Sequence, residues 1–346
     1  MYRIGTEHPL APFTDLLIAE PYIRASTMTA FAQCPRLFFY QHRLGLSLNI
    51  PRVSRAISIG TYVHLAMQEV LQHPDRPWLE QQQAILKAAQ PSLDALQPGS
   101  LGPNSPGGQA ATESEQCLAL ALAMVGEFVR LYPPTSMKLI ACEAPLAVHT
   151  TTPEPGGWLA GTPDAIVESD KGELWIIDHK TTSEPPSVSL SGRAWAYQTF
   201  IYPTLVTQVY GRAPVGFIYN FLQKASIRFC KKDATFEAYV DRCREWWNCC
   251  GESPFQSYYV RTDTASEGYR GFLVDLQATV HASTQPVNTV SEAYATFPRR
   301  AHQCLHYGRR CIYYDLCQAH AARLDELVKA YYRQDFQTPT EEGDTG

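Results

Sequence analysis

The 346-residue chain reads as an α/β protein, and three observations carry that reading. Strand-compatible segments occupy the middle of the chain in the order helix, three strands, helix, strand. Two of those strands flank Asp170-Lys171-Gly172, a composition that signals a tight hairpin. Apolar residues make up 45% of the chain, which allows a sizeable core and argues against global disorder.

The elements follow in order. Residues 26–43, STMTAFAQCPRLFFYQHR, read as a helix capped by Ser26 or Thr27, and residues 60–72 as a second helix. Residues 91–112 are dense in Pro, Gly and Ser and read as a flexible loop. A helix spans about 114–131. MKLIACEAPLAVHT is strand-compatible, and GWLAGTPDAIVES with ELWIIDHKTT makes the hairpin. GRAWAYQTFIYPTLV reads as a helix ending near Pro203, and APVGFIYNFLQK as the next strand. Residues 233–250 and 266–283 are further helices. The acidic tail 337–346 is expected to be disordered. The chain thus divides into an N-terminal helical segment (1–59), an α/β core (60–232), a helical C-terminal part (233–336) and the tail.

A net charge of −5 argues against a protein that coats nucleic acid non-specifically, yet leaves room for a local basic groove. The N-terminus lacks the basic and apolar regions of a secretory signal, and CLALALAMVGEFV is too short to span a bilayer. A soluble cytoplasmic protein with no membrane partner is expected, its ten cysteines mostly reduced.

The hairpin concentrates the chemistry. Asp164 follows Pro163 beside one strand, and Asp178-His179-Lys180 ends the other after the apolar run Leu174–Ile177. Acids at the end of a buried strand are costly unless they meet a cation or each other. Antiparallel neighbours can bring Asp164 and Asp178 onto one divalent ion, and carboxylate oxygens suit Mg²⁺ or Mn²⁺. Lys180 shares a face with Asp178, where its ammonium can stabilise charge on a phosphate. His64 lies on one helix, and Gln198 and Tyr202 are one turn apart on another. Taken singly, each of these three reads equally well as a packing residue.

Together these residues resemble the PD-(D/E)XK nuclease superfamily in its RecB-like branch. Pro163-Asp164 and Asp178-His179-Lys180 match the defining motif. Gly60-Thr61-Tyr62-Val63-His64 looks like the branch's Gly-x-x-x-His, and Gln198-Thr199-Phe200-Ile201-Tyr202 like its Gln-x-x-x-Tyr. The resemblance implies a restriction-endonuclease-like core, a mixed sheet flanked by helices. It also implies phosphodiester hydrolysis by a metal-activated water. Carried over, His64, Asp164, Asp178 and the backbone carbonyl of His179 are ligands, and Lys180 is catalytic. Gln198 and Tyr202 support the lysine or the DNA. Glu143, on the strand before the hairpin, is a weaker ligand candidate.

The C-terminal segment CLHYGRRCIYYDLC holds Cys304, Cys311 and Cys317, without the C-x-x-C spacing of a common zinc site. A subset of the branch holds an iron–sulfur cluster on one upstream and three downstream cysteines. Cys34, in AFAQCPRLFFY, resembles the upstream one, and Cys311-x5-Cys317 the last interval. The six-residue gap after Cys304 departs from the usual shorter spacing. The resemblance therefore implies a [4Fe–4S] cluster, with Zn²⁺ as the alternative, tying residue 34 to residues beyond 304.

Arg36 beside Cys34, and Arg299, Arg300, Arg309 and Arg310 around Cys304, would then converge on one basic patch suited to phosphates. The expected function is a DNA exonuclease of recombination or repair, acting on DNA with a free end or single-stranded part. Alternatives are a CRISPR-adaptation-type nuclease and a catalytically silent DNA-end-binding module. The chain has no helicase P-loop motif, so no translocation motor of its own is expected, and a helicase or recombinase is a candidate partner.

Overall fold

The computed structural model describes residues 22–49, 55–95, 113–133, 137–151, 156–191, 196–230, 232–233, 235–263, 265–306 and 309–334. The tail 337–346 lies outside them, as does most of the Pro/Gly-rich stretch.

The helix expected over 26–43 is broken. Helix α1 (Ala25–Gln33) stops because Pro35 disfavours helical geometry at the residue before it, and Cys34 is fully extended. Helix α2 (Pro35–Phe38) restarts at once and continues into a π-helical turn over Phe39–Arg43. Strand β1 (Leu46–Leu48) follows. Helices α3 (Arg55–Gln72), α4 (Trp78–Ala95) and α5 (Glu113–Leu131) pack against one another. Helix α4 runs through Pro91 to Ala95, so the expected loop does not begin at 91.

Strands β2 (Lys138–Cys142), β3 (Leu146–Thr150), β4 (Gly157–Gly161), β5 (Ala165–Glu168) and β6 (Leu174–Thr182) come next. Helices α6 (Pro186–Ser191) and α7 (Gln198–Tyr210) connect them to β7 (Gly216–Gln223). Helix α7 does not end at Pro203. Its buried face, from Thr199 to Val206, holds the chain helical through the missing donor. Helix α8 (Phe236–Asn248) precedes β8 (Phe255–Arg261), a strand the sequence reading missed. Helices α9 (Glu267–Thr284) and α10 (Val290–Thr296) lead to a small hairpin, β9 (Leu305–His306) and β10 (Arg309–Arg310). Helices α11 (Tyr314–Gln318) and α12 (Leu324–Tyr331) and strand β11 (Tyr332–Gln334) close the described chain.

The central sheet has five strands in the order β2-β5-β6-β7-β8, with β6 and β7 parallel and the other neighbours antiparallel. One face carries Ile166, Ile176, Phe217 and Tyr219 against α7 and α9. The other carries Ala165, Val167, Ile177 and Ile218, with Leu71 of α3 packed on them. Strands β3 and β4 form a separate ribbon. A third core joins the two ends of the chain. Phe38, Phe39, Tyr40 and Leu46 pack there against Phe297, Tyr313, Leu324 and Tyr332, and β1 pairs with β11. Among the described residues no helix is long and apolar enough to cross a membrane.

Candidate active site

The hairpin register decides where the acids stand. Ala165 faces Ile177 across β5 and β6, which sets Asp164 opposite Asp178 at the sheet's end. Cys142 faces Ala165 across β2 and β5, so Glu143 emerges beside Asp164. There the Glu143 N–H donates to the Asp164 carbonyl at 3.0 Å. Glu143 takes φ 48°, the one described non-glycine residue with positive φ. That left-handed turn carries backbone strain and ends β2 beside the acids.

Helix α3 brings His64 over this corner. Its Nδ1 lies 3.3 Å from Asp164 Oδ1 and 3.6 Å from Glu143 Oε1. One ligand atom from each of His64, Glu143 and Asp164 lies within 4.8 Å of the others. The second oxygen of Asp164 accepts the His179 N–H at 2.6 Å. Lys180 Nζ donates to Asp178 Oδ1 at 2.7 Å, as their shared strand face requires. Asp178 is 1% exposed, and its Oδ2 has no hydrogen-bond partner among the described residues.

The electrostatics follow from crowding. Burial raises the Asp178 carboxyl above its usual value, with Lys180 opposing and Asp164 adding to the rise. Burial acts the same way on Asp164, but contact with His64 and the nearby positive groups brings it below the ordinary carboxylate range. Burial disfavours charge on His64, yet Asp164 and Glu143 prevail and raise it to about 10. Three carboxylates and an orphaned buried oxygen in one corner suit a divalent cation with hard oxygen ligands.

The raised His64 value makes stability pH-dependent. A group whose folded-state value lies above its unfolded one stabilises fully below the unfolded value and loses that contribution as pH rises through the folded one. Metal-free protein is therefore expected to lose thermal stability from His64 as pH climbs from about 6.5 toward about 10. Melting curves across that range should show a shallower fall in His64→Gln.

Helix α7 reaches the corner indirectly. Gln198 Nε2 donates to the Tyr202 hydroxyl at 3.2 Å, and that hydroxyl donates to the Thr162 carbonyl at 3.2 Å. These residues thereby brace the loop that presents Asp164. Gly161 makes the bracing possible, because a Cβ there would stand 2.6 Å from the Tyr202 ring. Gly161→Ala is expected to cost about 1–3 kcal/mol of stability, read by melting.

A second brace crosses the sheet. His179 Nδ1 lies 3.2 Å from Asn220 Nδ2, and Ser257 donates to Asn220 Oδ1 at 2.8 Å. His179, Asn220 and Ser257 are register partners on β6, β7 and β8. Burial pushes the His179 imidazole down to about 4, which keeps it neutral. The sequence signal for this brace was available: Asn220 interrupts the apolar run of GFIYNFLQ.

A model of the PD-(D/E)XK nuclease superfamily matches residues 23–318. The chain belongs to the PD-(D/E)XK nuclease superfamily. Nucleases of this superfamily use divalent metals, and the mixed five-stranded sheet flanked by helices agrees with its fold. No curated protein matches the chain. Among solved structures, one titled "Crystal structure of SSO0001" is 12% identical and covers 81% of this chain and 84% of that one, with a TM-score of 0.32. That likeness lends no weight to the assignment.

In this PD-(D/E)XK protein the four cysteines singled out from the sequence line one cavity of about 280 Å³ between α1–α2 and the C-terminal segment. The extended backbone at Cys34 places that residue on the cavity wall, and the Arg300 N–H approaches its Sγ at 3.4 Å. Cys304 and Cys311 are joined through a backbone hydrogen bond at 3.0 Å. Among the described residues no three of these thiols come within 4.8 Å of one another.

The arginines divide. Arg36 is 5% exposed, donates to the Phe297 and Tyr294 carbonyls and stacks on the Tyr294 ring. The expected phosphate contact does not hold for it, because the side chain is buried and turned onto Tyr294 and Phe297. Arg299 and Arg310 are exposed at the cavity mouth, with Arg310 over the Tyr314 ring. The exposed Arg300 donates to the Ala32 carbonyl. The side chain of Arg309 lies outside the described ones.

Proposed function

We propose that the protein is a Mg²⁺- or Mn²⁺-dependent DNA exonuclease of the RecB-like, iron–sulfur type, serving recombination or repair. The observation that carries this reading is the corner where His64, Glu143 and Asp164 converge beside the Asp178–Lys180 pair. His64, Asp164, Asp178 and the His179 carbonyl would hold the cation, with Glu143 completing the set. A divalent cation in such a corner activates water and neutralises phosphate charge. Lys180, fixed by Asp178, presents its ammonium to the scissile phosphate. Gln198 and Tyr202 hold the Asp164 loop in place through Thr162.

The cysteine cavity supports the second half of the reading. Four thiols on one cavity wall suit a [4Fe–4S] cluster on Cys34, Cys304, Cys311 and Cys317, with Zn²⁺ as the alternative. Exposed Arg299, Arg300 and Arg310 then flank the cluster and offer contacts to DNA phosphates. A separate helicase or recombinase would supply ends to this enzyme.

Digestion of DNA labelled at either end, single- and double-stranded, linear and closed-circular, with Mg²⁺ or Mn²⁺ tests the reading. Linear substrates are expected to be consumed from an end while circles survive. Cutting of closed circles would falsify the exonuclease assignment. Binding of ends in Ca²⁺ without cleavage in Mg²⁺ or Mn²⁺ would instead identify a silent end-binding module.

A further inference from the structure

The connector between β7 and α8 carries unpaired positive charge. From Lys224 to Lys232 the sequence holds no acidic residue. Arg228 and Lys232 are exposed, and Lys224 is half-buried. Among the described residues no carboxylate forms an ion pair with any of the three.

Helix α8 holds this connector in shape. Asp233, the buried acid that closes it, accepts from Arg242 Nε at 2.6 Å and from an Arg242 Nη at 2.7 Å. It also accepts the Cys230 N–H at 2.8 Å. Arg242 donates to the Arg228 carbonyl at 3.0 Å, and the Tyr239 hydroxyl to the Ile227 carbonyl at 3.3 Å. The Asp233 charge is therefore spent on Arg242 and leaves Lys224, Arg228 and Lys232 unbalanced. Their backbone is anchored to α8 at Ile227, Arg228, Cys230 and Asp233.

The strand register fixes where the connector starts. Strands β6 and β7 are parallel, and Lys180 faces Phe221. Two residues on, about 7 Å along a strand, Thr182 faces Gln223. The Thr182 carbonyl accepts the Lys224 N–H at 2.8 Å. The connector thus leaves the sheet at the end where Lys180 stands. The β5–β6 turn, with exposed Lys171, lies at the other end.

We propose that Lys224, Arg228 and Lys232 form a track for the phosphate backbone of the DNA strand held at the acidic corner. The inference deepens the nuclease reading above and rests on it. A chain of net charge −5 repels a polyanion as a whole, so unpaired cations beside the corner decide where a strand lies. A phosphate contact also has a signature that a packing residue lacks. It releases counterions, so it steepens the fall of affinity with salt.

The experiment uses the full chain with labelled single- and double-stranded DNA. Ca²⁺ replaces Mg²⁺, so that binding is read apart from cleavage. Wild type, the double variant Arg228→Gln with Lys232→Gln, Lys224→Gln and Lys171→Gln are compared from low to physiological salt. At about 0.9 per phosphate on a duplex and about 0.7 on a single strand, loss of two contacts flattens the slope of log K against log salt by about 1.8 or about 1.4. That is the result expected of the double variant, and Lys224→Gln is expected to flatten the slope by one such step. Lys171→Gln is expected to keep the wild-type slope. A wild-type slope in the double variant, or equal flattening in Lys171→Gln, overturns the track and leaves the nuclease reading standing. A wild type that neither binds DNA in Ca²⁺ nor cuts it in Mg²⁺ or Mn²⁺ overturns that reading itself. Should Lys224→Gln not fold, the double variant decides alone, because both of its residues are exposed.

Discussion

Asparagine in place of Asp164 is expected to reduce DNA cleavage by about 10³-fold or more, the scale seen when a preorganised charge is removed at a reacting centre. The side chain keeps its shape, so the loss isolates charge. Asp164 binds three things at once: the His64 imidazole, the His179 N–H and the proposed cation. Its removal should also abolish cation binding, measured by isothermal titration with Mn²⁺. Asp178→Asn should match it in activity but differ in stability. Asp178 is the more deeply buried acid and holds an orphaned oxygen, so neutralising it relieves a desolvation cost. Asp164→Asn should melt below wild type, because it strips the charged partner that keeps His64 protonated. Unchanged cleavage in both variants would remove this corner from the chemistry.

The second large effect concerns the cysteines. With the cluster proposed above, Cys34→Ala and Cys317→Ala are each expected to lose iron, sulfide and visible absorption together. They should also release the terminal core to proteolysis at a protease concentration the wild type withstands. Metal–thiolate binding feeds directly into folding free energy where the ligands come from distant segments. These two are separated by most of the chain, yet both line one cavity. Limited digestion followed by mass mapping reads the result. Cleavage should concentrate around residues 22–49 and 297–334, where α1–β1 and α10–β11 pack on each other. A variant that keeps full iron and sulfide, or resists protease as the wild type does, would remove that cysteine from the set.

Much of the corner was visible in the residues themselves. Asp178 and Lys180 share a face because strand periodicity is two, and the turn at Asp170-Lys171-Gly172 sets Asp164 across from them. Glu143 was less legible. Its side chain reaches the site only because the chain enters a left-handed turn, held by a hydrogen bond to the Asp164 carbonyl. That bond joins residues far apart in the chain, so no local pattern announces it. Pro203 misled for a related reason: the propensity for a helix stop is local, and the burial that overrides it is not. Strand β8 escaped because FQSYYVR lacks clean alternation, and it becomes a strand by pairing with β7. At Cys34 the local rule succeeded where the helical pattern failed. Pro35 disfavours helix at the preceding residue, and that single extended residue places the cysteine on the cavity wall.

The pairing of β1 with β11 imposes an order of events during synthesis. Residues 46–48 leave the ribosome long before residues 332–334, and translation at about 5–20 residues per second makes that interval many seconds. Throughout it, Phe38, Phe39 and Tyr40 have no Phe297, Tyr313 or Tyr332 to cover them. The earlier segment must therefore wait, apolar and exposed, for the later one. A nascent chain stalled before residue 297 should bind chaperones through that segment, and the full-length chain should let them go.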